Sequence, residues 1–480
     1  LSFVRFDAPW FDHGDALFVY NGRTVIPLGS IRISEETAAP GFKKTDQVLT
    51  GTITVPEGNT SQSAVITLNG TTGFECELDV PNDVKFAGLA VHKVDKCVYA
   101  FGGNSIPEGG AEPQGDASLE GAVFAVYNAN DYDVVRKEDG AEDCPSFGPG
   151  AEVVRIETDE FGVARTPVVQ EGIKTKQVLQ SDSSYRVVEI DPSTGMKVND
   201  GFDETVKLPD IEDYVYGEAG EEQGTLLCEE DVKRGDVQIQ KFDKELHKSE
   251  AIAGKDHGIV PDVPNLEGIS FEIRNVSKKP IFLYGDPEQR VSNEPGDNLC
   301  MTITTHWNPE ENAYTAETTG KALPYGTYSI QEVTTNETYL LTDGLAKTFA
   351  IREDGSIVKA DGDGENLVFG NYVIREDLLF NKIANLSSRR LQTAWALENT
   401  VTGEKHAIVT DKNGVFDSSS SRNKHSFRTN ANDALLEYED TDHVITADEM
   451  DATAGVWFGL AEDESIAPAD DRLRALPYGF

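Results

Sequence analysis

Three lysines in this chain each end a short run in which apolar residues alternate with other residues. The runs are Leu89-x-Val91-x-Lys93, Val237-x-Ile239-x-Lys241 and Leu378-x-Phe380-x-Lys382. Alternate residues of a β-strand lie on one face, so each lysine is predicted to share the apolar face of its strand. A lone buried ammonium group is very costly. A lysine that recurs at the same inward-facing strand position in three units therefore needs a chemical explanation.

Two further polar positions recur at the ends of inward-facing rows. The first stands eleven residues before each lysine, in the frame apolar-x-Asn/Glu-x-Val, and holds Asn82, Glu230 and Asn371. The second is a glutamate that follows an alternating apolar pair, and its copies are Glu35, Glu189 and Glu332. A lysine, a glutamate and an Asn or Glu side chain are therefore expected to meet in one core.

These three residue types support a specific reaction. Burial in an apolar core lowers the pKa of a lysine and raises the pKa of a glutamate. A neutral lysine amine is a nucleophile, and a protonated glutamate can polarise the side-chain carbonyl of Asn and shuttle protons. Attack with loss of ammonia would leave an amide cross-link, in a single-turnover reaction driven by proximity. The alternative is a lysine that snorkels or forms a buried ion pair with the glutamate.

The elements that must position these residues are β-strands. Short alternating runs separated by Gly, Asn, Asp and Pro dominate the sequence, and helical periodicity is scarce. This pattern is typical of an all-β protein, and strands of about five residues with frequent turns favour immunoglobulin-like sandwiches. If the first and last strands of a sandwich lie side by side, the lysine of one faces the Asn or Glu of the other.

The spacing of the lysines divides the chain into units. They recur after 148 and 141 residues (241 − 93 and 382 − 241). The predicted units are the C-terminal part of a domain (1–86), two complete domains (87–234 and 235–375) and a truncated final domain (376–480). The junctions are short and lack a Gly/Ser linker, so a semi-rigid, rod-like array is expected.

Composition excludes several classes of partner. The 480 residues include 84 acidic and 42 basic ones, for a formal charge of −42. This balance argues against nucleic acid and anionic membranes as partners. The apolar runs fall short of the roughly 18 residues needed to span a membrane. The five cysteines form no C-x-x-C pair, so neither a disulfide framework, a metal site nor a cofactor is predicted.

Short motifs surround these positions in a consistent order. They are Val91-His-Lys93-Val-Asp95, Leu119-Glu-Gly-Ala-Val-Phe124, Leu266-Glu-Gly-Ile-Ser-Phe271, Ala322-Leu-Pro-Tyr-Gly-Thr-Tyr328 and Ile33-Ser-Glu-Glu-Thr-Ala-Ala-Pro-Gly-Phe42. These motifs resemble the Cna B-type (SpaA-like) domains of Gram-positive surface proteins, and the last is similar to the family's E-T-x-A-P-x-G-Y box. The final segment, with motifs at 378–382, 402–406, 409–414 and 457–459, resembles the VaFE-type repeat of the same superfamily.

The resemblance implies Lys–Asn or Lys–Asp isopeptide bonds assisted by a Glu or Asp. Lys241, Glu332 and Asn371 match this set completely. Lys93 and Glu189 also match, but the acceptor position holds Glu230. A one-residue slip would turn the neighbouring Asp231 inward, so Asp231 is the predicted acceptor, and bond formation in that unit stays open.

The two incomplete units carry partial sets. In the first, Glu35 and Asn82 remain, and their lysine would lie upstream of residue 1. Family alignment would choose Glu36, but strand alternation turns Glu35 inward and is preferred. In the last unit Lys382 is expected to stay an unlinked lysine.

The resemblance also implies a function. We predict that the chain forms the structural stalk of a secreted adhesin. The adhesin would be anchored to the cell wall through segments outside this chain. Intramolecular cross-linking would be the only reaction that the chain carries out. The alternative is a ligand-binding adhesin module for host matrix or glycans. A secreted carbohydrate-active enzyme is the third hypothesis, and it would need two carboxylates converging in a cleft.

One motif offers a different interpretation. Arg234-Gly235-Asp236 has the form of an integrin-binding tripeptide. It occupies the junction between two predicted units, and the next junction reads Arg375-Glu376-Asp377. A feature of the repeat register explains it better than integrin binding.

Overall fold

The fold is all-β, in tandem immunoglobulin-like sandwiches, which confirms the predicted fold class. A computed structural model describes residues 18–20, 23–25, 28–55, 57, 64–73, 77–106, 111–139, 144–171, 173–218, 224–244, 265–341, 344–359, 367–391, 393–398, 405–410, 413–417 and 476–478. None of the helices in these ranges is both long and apolar enough to cross a bilayer.

The first unit contains a four-stranded antiparallel sheet. The strands of the unit are β1 (Phe18–Tyr20), β2 (Arg23–Val25), β3 (Gly29–Ser34), β4 (Val48–Thr54), β5 (Val65–Leu68) and β6 (Thr71–Gly73), and the sheet consists of β3 to β6. β1 pairs with β2, and β3 to β6 pair in sequence order. Turn residues such as Asn69 and Gly70, both with positive φ, allow the tight reversal between β5 and β6. Glu35 directly follows the end of β3.

The second unit is a sandwich of two sheets. Its elements are β7 (Phe86–Asp95), helix α1 (Lys96–Phe101), β8 (Val123–Asn128), β9 (Val134–Val135), β10 (Ser146–Phe147), β11 (Glu152–Glu157), β12 (Val163–Arg165), β13 (Val168–Glu171), β14 (Lys174–Gln177), β15 (Leu179–Gln180), β16 (Ser184–Asp191), β17 (Asp203–Lys207), β18 (Val215–Tyr216) and β19 (Leu226–Glu230). One sheet has the order β11–β8–β16–β17. In the other, β7 pairs with β12, β15, β18 and β19.

The core of this unit lies between the two sheets. Alternate residues of the strands on both sides point into it, among them Leu89, Val91, Phe124, Val187 and Cys228. All five residues of the last strand, β19, pair in parallel with residues of the first strand, β7. The chain therefore begins and ends this sandwich on adjacent strands.

The third unit repeats the arrangement. Its elements are β20 (Arg234–Asp243), β21 (Ser270–Asn275), β22 (Ile281–Phe282), a 3₁₀-helix (Leu283–Gly285), β23 (Arg290–Val291), β24 (Leu299–Thr304), β25 (His306–Asn308), β26 (Ala313–Glu317), β27 (Leu323–Pro324), β28 (Gly326–Thr334), β29 (Lys347–Ile351), β30 (Ile357–Val358) and β31 (Val368–Asn371). One sheet has the order β24–β21–β28–β29, and the other is built on β20. The last strand, β31, again runs parallel to the first.

The described part of the final segment, after residue 374, consists of short strand pairs. Its strands are β32 (Arg375–Glu376), β33 (Leu379–Asn381), β34 (Ala394–Glu398), β35 (Lys405–Val409), β36 (Val415–Asp417) and β37 (Leu476–Pro477). The pairs are β32 with β37, β33 with β36, and β34 with β35. Most of the motifs that carry the VaFE-type resemblance, including 457–459, lie outside the described residues.

The first and second units touch through the segment that follows β3. Within the first unit, Phe42 forms an isolated antiparallel bridge with Val84, two residues before β7. The Gly41 amide donates to Asp210 Oδ1 at 3.0 Å, and Lys85 Nζ contacts the same carboxylate at 2.8 Å. The box that resembles E-T-x-A-P-x-G-Y is thus seated on the second unit.

The second and third units share a network around residues 95–116. Asp95 caps helix α1 and accepts hydrogen bonds from both nitrogens of Gln114. Gln114 Oε1 in turn accepts the Phe282 amide at 3.0 Å. Arg234 Nη1 donates to the Phe282 carbonyl at 2.8 Å. A polar chain thus runs from the first strand of one sandwich to a strand of the next.

Asp116 extends this network onto the sheet of the third unit. It accepts the Lys278 amide at 3.0 Å, the Thr327 hydroxyl at 2.6 Å and Arg352 at 3.3 Å. Burial raises the pKa of the Asp116 carboxyl, but these three donors together hold it below its usual value. These contacts link Asp116 of the second unit to strand β28 and to two residues between strands of the third.

We predict that Asp116→Ala loosens this junction without unfolding either sandwich. Removing a partly buried hydrogen-bonded carboxylate costs about 1–3 kcal/mol, so local opening becomes roughly 5- to 150-fold more frequent. Hydrogen exchange of the full chain should show faster exchange at the Lys278 amide and at the backbone amide of position 116, and unchanged exchange in β16. The matched control is Asp131→Ala, which changes an exposed aspartate of the same unit. Equal protection in both variants would contradict the prediction.

Candidate cross-linking sites

Lys241, Glu332 and Asn371 meet in the core of the third unit. Lys241 Nζ lies 2.6 Å from Glu332 Oε2, and Asn371 Nδ2 donates to Glu332 Oε1 at 2.6 Å. One carboxylate therefore bridges the amine of the lysine and the amide nitrogen of the asparagine. The sequence argument expected Glu332 to contact the carbonyl of Asn371, whereas in the structure it contacts the nitrogen.

Strand pairing brings these residues together. Lys241 and Asp243 on β20 pair with Phe369 and Asn371 on β31. Glu332 lies on β28, in the opposite sheet, where it pairs with Phe271. Period-2 alternation turns all three site residues toward the space between the sheets. The predicted adjacency of first and last strands is therefore what places the lysine beside the asparagine.

This site is buried on all sides. Lys241 and Asn371 are 0% exposed and Glu332 is 1% exposed. The ring of Phe271 lies 5.7 Å from Lys241 Nζ, and Phe369 packs against Phe271 at 4.8 Å between centroids. In such an environment charges are poorly screened, so Lys241 and Glu332 attract each other strongly.

The second unit carries a related site with a different third residue. Lys93 Nζ lies 2.6 Å from Glu189 Oε1 and also contacts Glu230 Oε2. The side chains of Lys93 and Glu189 are fully buried, and Glu230 is 2% exposed. Lys93 on β7 pairs with Cys228 on β19, and Asp95 pairs with Glu230. Glu230 thus occupies the same register as Asn371 does in the third unit.

Asp231, the acceptor predicted from sequence, does not reach this site. It is exposed, and its backbone carbonyl accepts the Lys197 amide at 3.0 Å. No slip of β19 occurs, because the pairing of residues 226–230 with 91–95 runs without a shift. The structure therefore replaces Asp231 with Glu230 as the residue that faces Lys93.

The environment of Glu230 favours its protonated form. The pKa of Glu230 is raised to about 8, mainly by burial and also by its hydrogen bond to Glu189, while Lys93 opposes the rise. The Cys228 thiol donates to Glu230 Oε1 at 3.4 Å. Burial also raises the pKa of the Cys228 thiol far above its usual value.

Glu35 and Asn82 form the partial set of the first unit. Asn82 Nδ2 donates to Glu35 Oε1 at 2.7 Å, and the Thr45 amide donates to Glu35 Oε2 at 2.7 Å. These hydrogen bonds hold the pKa of Glu35 below its usual value. Glu36, the residue that family alignment would choose, is exposed. The pairing of a glutamate with an asparagine amide repeats the Glu332–Asn371 contact.

Lys382 has a different neighbourhood. Its Nζ lies 4.9 Å from the centre of the Trp395 ring, a cation–π distance. Its backbone amide donates to the Gly414 carbonyl at 2.7 Å. The expectation that it stays unlinked remains a prediction.

Sequence reasoning missed one recurring contact at these sites. A backbone amide ten residues after the glutamate donates to it in two units, from Thr45 to Glu35 and from Asn199 to Glu189. The equivalent position after Glu332 is residue 342, which lies outside the described residues. A fixed spacing from the glutamate is a signal that the sequence does contain.

The remaining candidate features are structural. Arg234 is 7% and Asp236 8% exposed, and Asp236 accepts the Thr318 hydroxyl and the amides of Lys321 and Ala322. The Arg-Gly-Asp sequence is therefore engaged within the fold. Cys97, Cys144, Cys228 and Cys300 are free thiols, and Cys76 lies outside the described residues.

Comparison with known proteins yields structural similarities only. No family model and no curated protein sequence matches the chain. The Bacillus anthracis TIE protein is similar over 82% of this chain and 61% of its own, at 15% identity and a TM-score of 0.39. GBS52, a minor pilin of Streptococcus agalactiae, covers 60% of this chain and 97% of its own (13% identity, TM-score 0.19). The shaft pilin SpaA of Lactobacillus rhamnosus GG covers 60% and 98% (15% identity, TM-score 0.19).

We predict an inverse pH dependence of stability when Lys93 is removed. In Lys93→Met the amine that lowers the pKa of Glu230 is gone, so its value stays raised from its usual 4.5 to about 8 or above. The folded state then holds a proton that the unfolded state releases. Unfolding free energy should fall by about 1.4 kcal/mol per pH unit as pH rises through this window.

Scanning calorimetry of the full chain at several pH values measures this slope. The control adds Glu230→Gln to Lys93→Met, which removes the titrating group and should flatten the profile of the second unit. The same slope in both variants would show that another group is responsible.

Proposed function

We propose that this chain is a stalk segment of a Gram-positive cell-surface protein, stabilised by an isopeptide bond between Lys241 and Asn371. The observation that carries the proposal is the bridging of Lys241 Nζ and Asn371 Nδ2 by the two oxygens of Glu332, at 2.6 Å each. The secreted, wall-attached setting follows from the resemblance of the sequence motifs. Among the described residues, no specific contact favours a ligand-binding adhesin or a carbohydrate-active enzyme.

The contacts support a complete reaction path. Glu332 takes one proton from the Lys241 ammonium, and the neutral amine attacks the side-chain carbonyl carbon of Asn371. Glu332 then returns a proton to Nδ2, the C–N bond breaks, and ammonia leaves. One of the three ammonium protons stays on the new amide, one leaves with the ammonia, and the third stays on Glu332. No cofactor is needed for this balance.

Proximity supplies most of the rate. The reacting groups lie on adjacent strands and are held by the packing of both sheets, so little freedom remains to be lost in the transition state. Exclusion of water protects the product from hydrolysis. The reaction occurs once per molecule, because the lysine and the asparagine are consumed.

The product would close a long loop. It joins the first and last strands of the third unit across 130 residues (371 − 241). By analogy with a disulfide, such closure stabilises the folded state by about 5 kcal/mol in the chain-entropy model. It also removes a charged lysine from the core. Both effects suit a protein segment that must keep its fold outside the cell.

The test is the mass of the purified full chain and of its tryptic peptides. We expect residues 235–244 and 360–375 to appear as one branched peptide that lacks the mass of one ammonia. Glu332→Gln keeps the shape of the site but removes the proton carrier, so it should block or greatly slow the loss. Lys278→Ala, which alters an exposed lysine of the same unit, is the control and should retain it.

Asn371→Asp provides a second diagnostic. It keeps the reacting carbon but changes the leaving group, so the lost mass should change from ammonia to water. Unlinked peptides of full mass in the unaltered chain would refute the proposal.

A further inference from the structure

The second unit presents a glutamate where the third presents an asparagine. Glu230 pairs with Asp95, two residues after Lys93, and Asn371 pairs with Asp243, two residues after Lys241. The two acceptors therefore stand at the same point of the fold. Glu230 differs by one additional methylene and by a carboxyl group in place of an amide.

The contacts around Lys93 hold the reacting groups in place. Lys93 Nζ touches Glu230 Oε2 and lies 2.6 Å from Glu189 Oε1. Glu189 Oε2 accepts the Asn199 amide at 2.8 Å, which fixes the orientation of this carboxylate. Glu230 Oε1 accepts the Cys228 thiol. The amine thus contacts one carboxyl that can take its proton and a second one that it can attack.

The charge of the cluster selects which carboxyl is attacked. One ammonium and two carboxyl groups share a space without water, so a neutral site requires one carboxyl to carry a proton. Burial and Glu189 raise the pKa of Glu230 to about 8, so Glu230 is the one that carries it. A protonated carboxyl is the form that can acylate an amine, because its hydroxyl can leave as water.

We propose that Lys93 and Glu230 condense to a γ-glutamyl–lysine isopeptide bond, with Glu189 as the proton carrier. The Lys93 ammonium gives a proton to Glu189, and the amine attacks Cδ of Glu230. The C–O bond to the hydroxyl breaks, and the hydroxyl leaves as water with a proton that Glu189 returns. Glu189 then takes the last surplus proton from the new amide nitrogen. The inference rests on the proposed function, since it extends the same chemistry to a carboxylic acid.

A metal ion is the competing occupant of this cluster. Ligand atoms of Glu189, Cys228 and Glu230 lie within 4.8 Å of one another. The Lys93 ammonium contacts both carboxylates, so a cation would have to displace it. The cross-link is therefore favoured, and the experiment below separates the two outcomes.

Peptide mapping of the full chain tests the proposal. We expect residues 86–96 and 208–233 to appear as one branched peptide that lacks the mass of one water. Fragmentation should place the branch at Lys93 and Glu230. A branch at Asp231, unlinked peptides of full mass, or a stoichiometric metal in the intact native protein would overturn the proposal.

Two matched variants sharpen the result. Glu230→Gln should change the lost mass from water to ammonia, whereas Asp231→Asn, at the exposed neighbouring position, should leave the loss of water unchanged.

A third variant removes the proton carrier. Glu189→Gln keeps the packing of the core and should block or greatly slow the bond. It tests the mechanism even if Lys93→Met, which removes the nucleophile, fails to fold.

The two proposed isopeptide bonds would be detected in different branched peptides. Lys241→Met should abolish the branched peptide of the third unit and leave that of the second unit intact. Loss of ammonia without loss of water would therefore refute only the Lys93–Glu230 bond. Loss of neither would refute the shared chemistry.

Discussion

The contact between a buried lysine ammonium and a buried glutamate carboxylate is the interaction on which each complete sandwich depends. A charge in an apolar core is tolerated only with a partner at hydrogen-bond distance, and Lys93 and Lys241 each have one at 2.6 Å. The partner comes from the opposite sheet, so the contact also sets how the two sheets face each other. The neighbouring aspartates, Asp95 and Asp243, are buried as well, and they bond outward from the site, to Gln114 and Tyr339.

The inward-facing residues could be predicted from sequence because strands have a period of two. Alternation placed Lys241, Glu332 and Asn371 on core faces, and it favoured Glu35 over Glu36. Alternation also turns Glu230 inward, whereas the prediction of Asp231 required a one-residue slip that β19 does not make. The observed register keeps Glu230 inside, and the extra methylene of glutamate spans the distance to Lys93.

Contacts between units were beyond the reach of sequence periodicity. Gln114 and Asp116 lie in a segment between strands, and their partners, Phe282 and Arg352, are more than 160 residues further along the chain. Nothing in local spacing marks such a pair. The same holds for Arg234 of the Arg-Gly-Asp sequence, whose guanidinium lies 2.8 Å from the buried carbonyl of Phe282. Tertiary packing decides the role of these residues.

The parallel pairing of the first and last strands has a consequence for how each sandwich matures. The lysine and the residue that faces it come from opposite ends of the unit, and the glutamate comes from a strand between them in sequence, so the three meet only when these distant strands stand in their observed register. A shift of one residue anywhere in the glutamate strand would turn Glu189 or Glu332 to the outside. A permanent bond at such a site would act as a covalent record of successful folding. Chains that completed the fold would be set apart from those that had not, and the distinction would survive any later unfolding.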